Sequence, residues 1–254
     1  MFTNQVAYIG VEPTAGQKPF TVAALDADLR LLALRQGEMD EVLAFIGGQQ
    51  SAWVAVCAPR RPNQRVMADP AVRESLSPAP RPGRWTNLRQ AEYLLRQHHI
   101  FCPHTTAEEQ ACPAWMQRGF AFYRALEKLG FQAHSEETPL RCLEVYPHAS
   151  FCTLLGQVPF PKGTLEGRLQ RQLALYEQRL RIPDPMGFFE EITRHRLLQG
   201  ILPDVLYSPV ELDALAAAFS AWLVDRHPER TLLVGDAVEG QIVLPVNELK
   251  RKYL

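Results

Sequence analysis

A chain of 254 residues with 46% hydrophobic and 22% charged side chains carries enough apolar matter for a full core, which excludes an intrinsically disordered composition. Its formal net charge of −1 excludes the strongly basic character of proteins that coat nucleic acid, so any grip on a polyanion must come from a local cluster of Lys and Arg. No run of 18 apolar residues occurs, the start Met1-Phe2-Thr3-Asn4-Gln5 lacks the pattern of a secretory signal, and five cysteines fall at irregular spacing. These features predict no membrane span and one soluble, cytoplasmic domain over residues 1–254 with reduced thiols.

In chain order, the apolar run Val6 to Val11, closed by Glu12-Pro13, predicts a buried strand. Phe20 to Leu25 and Leu29 to Leu34 follow too closely for crossover helices, so the three strands are expected to form an antiparallel meander. Glu38 to Ile46 has helical spacing and stops at Gly47-Gly48; the strand Trp53 to Val56 beyond it is expected to lie parallel to the first. Arg60 to Arg84, rich in Pro, Arg and Ser, predicts a long surface loop. Helices are expected over Arg89 to His98 and Ala114 to Leu129, and a strand over Leu140 to Val145. Further helices are predicted over Leu165 to Arg181, from Asp184-Pro185 to about Gln199, and over Pro209 to Val224. In the last of these, Ala216, Ala217 and Ser220 beside Asp213 form a small-residue face suited to close approach to a sheet. Thr231 to Val234 and Ile242 to Leu244 read as a closing hairpin. The fold class is therefore α/β, with a mixed sheet flanked by helices.

Three acidic residues fall where such a fold presents ligands: Glu12 at a strand end, Glu144 within an apolar strand, and Asp213 on the Ala-rich helix. Carboxylates converging there are hard oxygen ligands suited to Mg²⁺ or Mn²⁺, and two such ions favour phosphodiester hydrolysis. Arg60, Arg61 and Arg65 after the fourth strand, and Lys162 near a later helix, are the candidate phosphate-binding residues. His98, His99, Cys102, His104 and Cys112 are zinc-ligand types, but their spacing fits no zinc pattern and both cysteines precede prolines. Phosphate-loop, dinucleotide, nucleophile-elbow and zincin motifs are absent.

The run Leu143-Glu144-Val145-Tyr146-Pro147 with Phe151, the helix segment Leu212-Asp213-Ala214-Leu215-Ala216-Ala217-Ala218, and Glu239-Gly240-Gln241-Ile242-Val243-Leu244-Pro245 resemble the family of unknown function numbered 429. Arg89, Ala91-Glu92, Ile100, Trp115, Gly119 and Pro161-Lys162 add to the likeness. The resemblance implies an RNase H-like fold, a three-strand meander continued by parallel strands, and a metal-dependent nuclease with Glu12, Glu144 and Asp213 as metal ligands and Cys57 at the same centre. Members usually carry Asp at the end of the first strand, where this chain has Glu12, and Asp-Ala-Pro after the fourth, where it has Cys57-Ala58-Pro59. Glu keeps the charge one methylene further out, whereas a cysteine puts soft sulfur where Mg²⁺ wants hard oxygen. Two functions follow: a divalent-metal-dependent nuclease, or a non-catalytic member of the same fold that binds nucleic acid or protein over a degenerate metal site.

Overall fold

The computed structural model describes residues 6–16, 18–80, 83–133, 138–198 and 206–254, without the side chains of residues 84, 195 and 196; Gln199, the expected end of one helix, lies outside them. β1 (Ala7–Glu12), β2 (Phe20–Leu25) and β3 (Leu31–Gly37) form the expected antiparallel meander. The β2–β3 turn is tied by Asp26, whose Oδ1 accepts from the backbone of Asp28 and Arg30, both at 2.8 Å. α1 (Met39–Gly47) carries the chain across to β4 (Ala52–Val56), which pairs parallel to β1.

After β4 come α2 (Pro70–Glu74), α3 (Gln90–Gln97), α4 (Ala114–Lys128) and β5 (Gln132–Ala133). Next are β6 (Leu140–Val145), α5 (Pro147–Leu155), α6 (Leu165–Glu177), α7 (Gly187–Leu198), α8 (Pro209–Arg226), β7 (Leu232–Val234) and β8 (Ile242–Leu244). One eight-stranded mixed sheet runs in the order β3-β2-β1-β4-β6-β8-β7, with β5 also paired to β6. A meander followed by parallel strands is the RNase H-like arrangement. Among the described residues no helix is long and apolar enough to cross a membrane.

The strand residues are apolar on both faces because helices cover both. Tyr8, Ala55, Leu143 and Val145 pack with α8 on one face; Ile9, Val54 and Cys142 pack with α1 and α4 on the other. Gly10 permits the closest approach: a Cβ there would lie 1.9 Å from the Ala214 carbonyl oxygen. The helix thus rests directly on the centre of β1, as its small residues predict, but through Ala214 and Ala218 rather than through the Ala216, Ala217 and Ser220 face. Ser208 caps this helix, its hydroxyl accepting from the Glu211 amide while the Glu211 carboxylate accepts from the Ser208 amide at 2.7 Å.

Three features differ from expectation, the short strand β5 among them. The Arg60 to Arg84 segment is not a plain surface loop: it contains α2, and its Met67 joins Leu88 and Tyr93 in a small core of its own. Buried Glu239 fastens it by accepting from the amides of Val66 and Gln90 at 3.1 and 3.0 Å. Helix α5, unexpected from the sequence, follows β6 at once. Six of its nine residues are buried, so it has no polar stripe by which helical periodicity could announce it.

Candidate functional site

The site lies beyond the C-terminal ends of β1 and β4, where a switch from antiparallel to parallel neighbours opens a crevice. Glu12 is the last residue of β1. Cys57 continues β4 by one residue, its amide donating to the Val11 carbonyl at 2.8 Å. Alternation along the strands points Glu12 and Cys57 to the same side as Gly10 and Ala55, the side α8 covers. Asp213 comes down onto them from the second turn of α8.

Lys162 completes the group. It follows Phe160 and Pro161 in the α5–α6 connection, a segment clamped to the start of α6. The Phe160 carbonyl accepts from Arg171 Nη1 at 2.7 Å, and a Cβ on Gly167 would fall 2.0 Å from the Pro161 carbonyl oxygen. From there Lys162 Nζ donates to Asp213 Oδ2 at 2.8 Å. The Asp213 side chain is only 7% exposed whereas that of Lys162 is 56% exposed, so the ammonium has room to leave and the carboxylate has none.

Burial and the charge of Asp213 push the Glu12 carboxyl up to about 8, with Lys162 and a hydrogen bond from the Cys57 thiol acting the other way. Burial likewise raises Asp213, against the pull of Lys162 and Arg171. For Lys162, burial opposes the charge but Asp213 and Glu12 outweigh it, so the ammonium is held. Burial and the two neighbouring carboxylates drive the Cys57 thiol well above its ordinary value; it stays a neutral thiol, within 3.6 Å of the Asp213 carbonyl oxygen. Half-buried Glu12, which keeps its proton, and buried Asp213, paired with one mostly exposed cation, form a centre that is balanced at neutral pH and becomes short of positive charge once Glu12 ionises.

These residues floor a cleft of about 530 Å³. Its walls carry basic Lys18 and Arg171, His148, and the aromatic rings of Phe101, Trp115, Tyr146 and Phe160. Burial, then Arg171 and Lys162, hold His148 below its usual value, so it faces the cleft as a neutral imidazole at pH 7.

Glu144 does not join this group, contrary to the expected three-carboxylate centre. Its register partner is Val56, one residue before Cys57, and so its side chain leaves the sheet on the opposite face from Glu12 and Asp213. There it meets Arg89 in a buried two-pronged pair, 2.6 Å from Nη1 to Oε1 and 2.8 Å from Nη2 to Oε2, and also accepts from the Arg60 amide at 3.0 Å. Arg89 further donates to the carbonyls of Glu239 and Gly240, both at 2.9 Å. The Glu-Val-Tyr-Pro motif is thus tied to Glu239-Gly240 by an internal ion pair.

Of the expected phosphate-binding residues, Lys162 is at the cleft. Arg60 pairs with Glu127 at 2.8 Å, Arg61 is partly buried in the same loop, and Arg65 lines a second, polar cleft with His104 and Asn87. The zinc-type residues are scattered: His98 Nδ1 bonds the Lys250 carbonyl, His104 Nε2 bonds the Asn87 carbonyl, and Cys102 and Cys112 belong to different apolar clusters.

Among the described residues no group of three or more His, Cys, Asp or Glu side chains is arranged to hold a metal ion. A two-ion centre therefore does not fit. One ion does fit the donor chemistry: Glu12 and Asp213 are hard ligands whose mutual repulsion a cation would relieve, and Mg²⁺ typically takes one or two carboxylates and completes its shell with water and substrate phosphate.

Comparison with models of known protein families matches residues 21–239 to one described as a protein of unknown function, DUF429. No curated protein and no solved structure matches the chain.

Proposed function

This chain belongs to the DUF429 family of proteins of unknown function, and from that premise we propose that it is a phosphodiesterase acting on nucleic acid with a single divalent ion, Mg²⁺ or Mn²⁺, shared between Glu12, Asp213 and the substrate. The observation that carries the reading is half-buried Glu12 beside buried Asp213 on the floor of a cleft with basic and aromatic walls, two acids whose charges repel once both ionise. An ion bound there supplies Lewis-acid neutralisation of phosphate charge. The protein's own residues do the rest. Glu12, kept protonated by burial and by the charge of Asp213, would have to release that proton to hold an ion. Lys162, mostly exposed, transfers its ammonium from Asp213 to a phosphate oxygen, so the same charge serves the resting site and the bound strand. Neutral His148 is available on the wall to accept a proton from an attacking water.

The experiment is cleavage of a fluorescently labelled oligonucleotide with Mn²⁺, Mg²⁺ or EDTA, comparing the native protein with Asp213→Asn. Cleavage with metal that is lost in a folded Asp213→Asn protein supports the reading; equal cleavage by that variant contradicts it. A second reading, a non-catalytic binding protein of the same fold, is favoured by Cys57, a neutral thiol where the family has an acid, and by the Lys162–Asp213 pair already standing in for a cation. It predicts binding of the oligonucleotide, unaffected by EDTA, without cleavage.

A further inference from the structure

Among the exposed apolar side chains, two phenylalanines stand on the wall of one cleft. Phe101 is 68% and Phe160 is 54% exposed, yet neither sits on a loose segment. The Phe101 loop is held by Arg96, whose guanidinium lies 5.8 Å from the Phe101 ring centre and donates to the Cys102 carbonyl at 2.6 Å. Phe160 is held through its backbone on both sides, its amide donating to Gln170 Oε1 at 2.8 Å and its carbonyl accepting from Arg171. Apart from the Arg96 contact these rings leave most of their surface uncovered, and two of them on one cleft wall point to a ligand with flat apolar faces. Lys18 and Lys162 stand in the same cleft and supply charge for a backbone of phosphates.

Resting on the nucleic-acid reading above, we infer that the cleft takes a single strand, with unpaired bases stacking on Phe101 and Phe160 while the phosphate backbone runs over Lys162 towards the carboxylates. In a duplex each base face is already covered by its neighbour, so pinned rings have nothing to stack on unless the duplex is first opened at a cost. The sequence preference is expected to be slight, because every base offers a π-face and the rings make no edge contacts.

The test is fluorescence anisotropy at low salt in EDTA, which removes catalysis and metal from the readout, with labelled oligothymidylate and a labelled hairpin duplex as probes. The single strand should bind at least about tenfold tighter than the duplex, and Phe101→Ala and Phe160→Ala should each weaken single-strand binding about tenfold. Phe160→Tyr, which keeps the ring, should bind like the native protein. Both phenylalanines are surface residues, and unchanged thermal melts verify that the variants fold. Equal affinity for the duplex, or unaltered affinity in both alanine variants, overturns the single-strand inference while leaving a nucleic-acid site standing. Absence of binding to either probe overturns that site and this inference together.

Discussion

At neutral pH Glu12 keeps its proton, since burial and Asp213 lift its carboxyl from 4.5 to about 8. In the unfolded chain the same group ionises at its ordinary value, so between about pH 4.5 and pH 8 the folded state binds the extra proton and stability falls as pH rises. Glu12→Gln removes this dependence. Its melting temperature should therefore gain on that of the native protein steadily from pH 5 to pH 8, and a constant offset across that range would show that Glu12 ionises normally. Cys57→Asp acts in the opposite sense by placing a third acid beside two that already repel each other. We predict a less stable metal-free protein and tighter Mg²⁺ binding, checked by melts and titrations of both proteins; unchanged Mg²⁺ affinity in a folded variant would remove Cys57 from the ion's neighbourhood. Glu144→Gln tests the other acid. It leaves Arg89 buried with its main counter-charge gone, at a cost of about 3 kcal/mol in chemical denaturation. A neutral effect would mean that Glu92, which also acts on Arg89, compensates fully.

Among the elements, the seating of α8 on β1 decides the site, because it brings Asp213 over Glu12. Gly10→Ala should push the helix off the strand and destabilise the protein by about 2 kcal/mol, with loss of any metal affinity, since the new methyl meets backbone that has no rotamer by which to yield. Chemical denaturation reads the first effect and calorimetry the second; a native-like Gly10→Ala protein would contradict the close packing. A close approach of α8 to the sheet was legible in the sequence, though not that Ala214 and Ala218 make it, as were the meander, the parallel β1–β4 pair and the closing hairpin, because each rests on local periodicity, small residues or short connections. Helix α5 was not, for its nearly uniform burial erases the amphipathic signal. Glu144 shows a different limit. An acid in an apolar strand is a sound sign of a buried partner, but which partner depends on the pleat. A register that sets Glu144 beside Val56 sends its side chain to the far face, and that parity is fixed only once the strands are paired.

For the molecule as a whole, Glu12, Cys57, Asp213 and Lys162 come together from strand ends, a helix and a loop spread over some two hundred residues of chain. Their residue types were legible one by one; Arg89 as the partner of Glu144, and the aromatic walls around the carboxylates, were not, because side chains from separate loops meet only in the folded cleft. The measurement that bears most directly on the account is calorimetric titration with Mn²⁺ at pH 7 in two buffers of different ionisation enthalpy, which counts the protons released with each ion. A single ion should bind and expel about one proton, because Glu12 must ionise to become a ligand, and Glu12→Gln should bind more weakly and expel almost none. Absence of Mn²⁺ binding to the native protein, or binding with the same proton release in Glu12→Gln, would contradict the assignment of Glu12 and Asp213 as a metal-holding pair.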